Sequence, residues 1–212
     1  MSALVVRRWV IVLALPIAGI LTVVATLADP APTESGANLV EAYAADPDPL
    51  NVKALAYHFA YALWLAVVFP LVGLVRRRGG GLANLAGLLA FLGISTIPGF
   101  LIADFIDSAM GRIVGVESAV RIGETAQEFW GFAVMAIPGQ LGLLLALPLA
   151  TLAMWRAGLL PWWGFAATAA GLAAFIGFGA TLVGNILLTA AFVALSATLA
   201  RVDFEAGRTE PS

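Results

Sequence analysis

The chain has 212 residues, 61% of them hydrophobic and only 11% charged, with a formal net charge of −2. A soluble domain carries about 25% charged residues to solvate its surface, so this composition excludes a water-soluble fold and points to a chain that faces lipid. The absence of cysteine removes disulfides, thiolate metal sites, iron–sulfur clusters, c-type haem attachment and CxxC redox chemistry.

In a bilayer only helices and closed barrels satisfy the backbone. Barrel strands alternate in polarity over segments of ~10 residues. The apolar runs here are long and unbroken, which predicts an all-α, polytopic membrane helix bundle. We read one integral membrane domain over 1–212 with six transmembrane helices and short amphipathic outer helices. Ten of the eleven basic residues are arginine, and alanine, glycine and leucine abound. That bias matches high-GC bacterial coding, so the expected location is a bacterial plasma (inner) membrane.

The first span is expected at 9–28, preceded by Arg7 and Arg8. A signal peptide has a similar plan, but its apolar region runs ~7–15 residues, shorter than this one, so a retained helix is the better reading. An outer loop, 29–53, follows. Asp29-Pro30-Ala31-Pro32 stops the helix because proline removes a donor and restricts its predecessor. Residues 37–45 can form a short helix, and Asn51 is a candidate cap for the next span. The loop holds five carboxylates and no base before Lys53.

Spans two and three, 54–75 and 82–103, are separated only by Arg76-Arg77-Arg78-Gly79-Gly80-Gly81. Each is about the ~20 residues a spanning helix needs, and three arginines hold such a turn on the cytoplasmic side. A second outer loop, 104–128, places Glu117, Arg121, Glu124 and Glu128 on one helical face and Ile113, Val116 and Val120 on another. This predicts an amphipathic surface helix. The fourth span, 129–154, contains Pro138 and Pro148. The apolar run from Leu160 to Ala200 is roughly 60 Å as one helix, twice the hydrocarbon thickness, so it must break. Gly177–Gly184 is the expected place, with Asn185 capping the second half, giving spans at 160–179 and 184–200.

Charge sorts accordingly. Eight bases fall on one side, and three bases with ten carboxylates on the other, which puts both termini in the cytoplasm by the positive-inside rule. Residues 86–93 (AGLLAFLG) resemble residues 170–177 (AGLAAFIG). This reads either as a duplicated hairpin or as chance similarity between helices of one composition.

Ionisable groups within a bilayer are costly and mark candidate functional sites. His58, the single histidine, is followed at i+3 by Tyr61. Asp104 and Asp107 leave span three at the same outer level, with Asn185 and Glu128 nearby. Together His58, Tyr61, Asp104 and Asp107 predict an outward-facing polar pocket that binds a cation or relays a proton. The alternative is ordinary interfacial capping. Gln140 sits near the middle of span four, where it either lines a pathway or bonds between helices.

No catalytic motif is present: the chain has no Walker A loop, no GxSxG elbow and no HExxH helix. One histidine excludes bis-histidine haem within one chain, and no span carries a deep lysine for a Schiff base. No cofactor or metal is implied. An acidic outer side and minimal inner loops offer nucleic acid no footprint. The implied partners are the lipid bilayer and other membrane subunits or further copies of the chain. The expected role is a non-enzymatic membrane subunit or accessory protein, the alternative a small transporter or an ion- or proton-binding membrane protein.

Overall fold

The computed structural model describes residues 3–76 and 78–202, with side chains from residue 8 onward. Among these residues the chain is entirely helical: α1 (Ala3–Ala28), α2 (Gly36–Ala45), α3 (Asp48–Gly73), α4 (Gly80–Val114), α5 (Val116–Gln127), α6 (Trp130–Arg156), α7 (Trp162–Phe178) and α8 (Leu182–Leu199). Five of them, α1, α3, α4, α6 and α8, are long and apolar enough to cross a membrane. α7 is equally apolar but has 17 residues.

Six helices close into a ring in which each touches its neighbours, in the order α1, α3, α4, α6, α7, α8 and back to α1. α3 also reaches across to α6 and fills the interior. Its Trp64, Leu65, Val68 and Leu71 are buried against Leu15 of α1, Leu147 of α6, and Leu188 and Phe192 of α8. α4 and α6 meet through small residues. A Cβ on Gly142 would land on the Leu89 carbonyl oxygen and 2.6 Å from the Gly93 nitrogen, and one on Gly139 would lie 2.7 Å from Thr96. In lipid, where apolar side chains gain nothing by leaving solvent, such close backbone approach supplies the packing energy.

α1 and α8 are joined by hydrogen bonds as well as packing. Pro16 has no N–H, so the carbonyl of Val12, four residues earlier, loses its helical partner. The Ser196 hydroxyl of α8 donates to that Val12 carbonyl. The Arg8 guanidinium donates to the Ala200 carbonyl, which places the start of α1 beside the end of α8.

Three expected boundaries are corrected. α3 begins at Asp48 instead of being capped by Asn51, because Pro49 is tolerated in a first turn; Asn51 Nδ2 instead donates back to the Asp48 carbonyl at 3.3 Å. α4 does not stop at residue 103. It continues without a break to Val114, 35 residues in all, roughly 52 Å, and ends only at Gly115 with φ +86°. Asp104 and Asp107 do not interrupt helical geometry. α2 packs on this extension, with a Gly111 Cβ position only 2.9 Å from Val40. The long apolar run does break within 177–184, at Gly179 (φ +68°), but the cap of α8 is Thr181, whose hydroxyl accepts from the Gly184 N–H at 3.4 Å. Asn185 therefore lies inside α8.

α5 carries the expected polar face, but Ile113 belongs to α4 and is itself exposed. Glu117, Arg121, Glu124 and Glu128 are exposed while Ala119 is buried. The two similar stretches differ in surroundings: Gly93 sits in the tight α4–α6 crossing, whereas a Cβ at Gly177 meets nothing within 4 Å.

The Ser196–Val12 bond makes a prediction. Ser196→Ala leaves a buried carbonyl unpaired and lowers stability in detergent by about 1–3 kcal/mol. In a Pro16→Ala background, where residue 16 regains its N–H, the same change costs under half as much. A double-mutant cycle of thermal melts measures the difference; additive effects would show that the two residues are uncoupled.

Candidate functional site

The residues with the most chemistry gather at the end of the bundle where α1 finishes, α3 begins and α4 emerges. Their centre is Lys53, the only lysine in the chain. It lies in the first turns of α3 and is 7% exposed. Its ammonium has three protons and three partners: Asp29 Oδ2 at 3.2 Å, Asp104 Oδ2 at 3.0 Å and the Tyr43 hydroxyl. It also lies 4.5 Å from the centroid of the Tyr43 ring.

The four residues come from four places, and the local sequence sets each one. Asp29 is held by a turn in which its Oδ1 accepts from the Ala31 N–H at 3.0 Å, inside the segment that the two prolines stiffen. Tyr43 is on α2, and its carbonyl accepts from the Ser108 hydroxyl of α4 at 2.6 Å. Asp104, one helical turn before Ser108, is presented by the same face of α4. The cluster thus fastens the end of α1, α2, α3 and α4 to one another. Burial pushes the Tyr43 hydroxyl up to about 12, with the Lys53 ammonium beside it pulling the other way.

A second network lies one turn deeper. Tyr57 follows Lys53 at i+4, and its hydroxyl is 2.9 Å from Thr26 Oγ1 of α1. Asn185 Nδ2 of α8 donates to Thr26 Oγ1 at 2.7 Å and to the Thr181 carbonyl at 3.2 Å. Tyr61 stacks on Tyr57 with centroids 5.2 Å apart, and Trp64 meets Tyr61 and Phe192 edge-on. Lys53, Tyr57, Tyr61 and Trp64, at i, i+4, i+8 and i+11, therefore form one inward stripe down α3. Asn185 Oδ1 and Trp64 Nε1 are buried along it without hydrogen-bond partners among the described residues.

The sequence-derived residues divide accordingly. Asp104 belongs to the Lys53 cluster, and Tyr61 to the stripe beneath it. His58 joins neither: it lies one residue past Tyr57, so it is turned about 100° from that face, half-buried with its ring edge-on to Phe59 at 5.2 Å. Asp104 pairs with Lys53 instead of approaching His58. Asp107 lines a different space, an apolar groove of about 410 Å³ between α4, α5 and α6 that includes Thr96, Phe100, Ile122 and Met135. Glu128 is exposed at the end of α5. Gln140 lies on the outward face of α6 and is exposed, while its neighbours Gly139 and Leu143 turn inward. Among the described residues no three His, Asp or Glu side chains converge as a metal site would require.

No family model, curated protein or solved structure matches this chain. Lys53, Tyr43 and Thr26 are members that the sequence reading does not bring forward as site residues, whereas Asn185 is placed by it at this level. The available signal was a lone lysine among ten arginines, in helical register with two tyrosines and a tryptophan.

Lys53→Met strands two largely buried carboxylates and is expected to cost about 3–5 kcal/mol, read as a lower melting temperature in detergent. Adding Asp29→Asn and Asp104→Asn recovers most of that loss; a triple variant no more stable than the single one would show that the pairing carries no weight. A second outcome concerns pH. Because the folded state holds the Tyr43 proton more tightly than the unfolded chain, its contribution is complete below pH 10 and is lost as pH rises through about 12. Alkaline unfolding of Tyr43→Phe should lack that component, and curves of identical shape for the two proteins would refute it.

Proposed function

We propose that this is a six-span protein of a bacterial plasma membrane, with both termini cytoplasmic, that acts without catalysis as a membrane subunit assembling with further copies of itself. α7 supplies the sixth span: its 17 residues extend roughly 25 Å, at the short end of the spanning range. Charge supports the orientation. Arg8, Arg76, Arg78, Arg156 and Arg201 lie at one end, and the carboxylates of the two outer regions at the other. Both α3–α4 and α6–α7 turn at the basic end, which supports reading them as a repeated hairpin.

The observation that carries the assembly is Gln140. It is ten residues into α6, roughly 15 Å from its outer end, near the bilayer midplane. It is exposed among Ile137, Leu141 and Leu145, all exposed as well. An amide facing hydrocarbon has no water to bond with, and another protein helix is the natural source of a partner. A carboxamide is both donor and acceptor, so two copies related by a two-fold axis satisfy each other.

Dilution-dependent energy transfer between labelled copies in liposomes tests this. The wild type associates, and Gln140→Leu weakens association by about threefold to thirtyfold, whereas Gln140→Asn keeps part of it. A monomeric wild type, or association indifferent to Gln140→Leu, removes the proposal.

A second reading is favoured by one feature of the acidic end. Lys53 places a positive charge between Asp29 and Asp104, where a bound cation or a proton would otherwise neutralise them. In this reading the protein binds an ion or a proton, with Asp104 as the binding carboxylate and Asp29 beside it. Calorimetry of the wild type with monovalent cations would show saturable binding that Asp104→Asn abolishes; a wild type that binds none removes this reading.

A further inference from the structure

The basic end of the bundle has a cleft of its own. A cavity of about 360 Å³ is lined by Arg78, Gly79, Trp155 and Arg156. Arg78 belongs to the turn before α4, and Arg156 is the last residue of α6. The backbone forces them together. Gly79 has φ +88°, and a Cβ there would run into the Ala153 carbonyl, 2.7 Å away. The turn therefore lies directly on the final turn of α6, a position only glycine fills without strain.

Both guanidiniums are exposed, and no carboxylate among the described residues pairs with either. Two like charges at the mouth of one cleft repel, and an anion seated between them turns that repulsion into attraction. Trp155 makes a fixed wall: its ring stacks parallel to Phe165, with 5° between planes and centroids 6.4 Å apart. Tryptophan at the end of a spanning helix marks the headgroup level. Guanidinium forks match phosphate oxygens two by two.

We propose that Arg78 and Arg156, with Trp155 as a wall, form a binding site for the phosphate of an anionic phospholipid headgroup. The chemistry recognised is a phosphate diester in a headgroup of net negative charge, with no cationic group to repel the two guanidiniums. The lipid, not free phosphate, is the assigned source because the cleft lies at headgroup depth, where the acyl chains of the same molecule run alongside apolar helix.

Native mass spectrometry of the full chain in mild detergent, titrated with phosphatidylglycerol, tests the site. Melting temperatures confirm that each variant is folded. Wild type should retain the lipid, and Arg78→Gln with Arg156→Gln should bind it about thirtyfold more weakly. Arg201→Gln, at the same end but outside the cleft, should bind as wild type does. Gly79→Ala, which displaces the turn and changes no charge, should also weaken binding. Phosphatidylcholine should not compete, and neither should millimolar inorganic phosphate. The proposal is overturned if the double variant holds the lipid as tightly as wild type, if Arg201→Gln loses as much, or if inorganic phosphate displaces the lipid.

Discussion

Removing two carboxylates from water is expensive, and the Lys53 ammonium makes it tolerable at the acidic end. All three of its protons are used, on Asp29, Asp104 and Tyr43, so the cluster leaves no ammonium donor unmet. A buried pair of this kind contributes little beyond what well-packed apolar residues would, but breaking it is costly. Its value lies in registration. One side chain fixes where α1 must end, how α2 lies and how far α4 must rise to present Asp104. The Thr26–Tyr57–Asn185 network repeats the device one turn deeper and adds α8 to the same register.

At mid-membrane the problem is different, because lipid rewards no apolar side chain for being buried. α4 and α6 solve it by removing side chains, so that Gly93 and Gly142 bring two backbones into direct contact. α3 solves it with bulk: Trp64 meets Phe175 and Phe192 edge-on in the ring's interior. A ring of six helices needs a filler, and the crossing of α3 to α6 provides one. The centre is filled at the level of Trp64, Leu65 and Leu147.

The apolar lengths showed where the long helices lie, and the glycines of 177–184 showed where the last long run must turn. Those signals are local and strong. The extension of α4 was not legible, because Asp104 and Asp107 read as departure from lipid, which is a statement about solvent and not about helical geometry. The role of Lys53 is illegible for a related reason: its partners lie 24 residues before it and 51 after it in the chain, and no periodicity encodes such pairing. His58 drew attention by being unique, yet a register of one residue separates the inward stripe from the face it occupies. Gln140 shows the limit most clearly. α6 is apolar all round, so nothing in its pattern says which way a single polar residue points.

The seam between α1 and α8 bears on how the molecule is made. Among the described helices α1 is synthesised before and α8 after all the others, yet Ser196 satisfies the carbonyl that Pro16 leaves unbonded in α1, and Thr189 fills the notch at Gly19. Throughout translation the inserted chain is an open crescent whose leading helix carries an unmet acceptor into hydrocarbon. Only arrival of the final hairpin seals it. A ribosome that stalls before residue 182 thus releases a product with a raw polar edge in the bilayer, the kind of flaw that membrane quality-control proteases are suited to find.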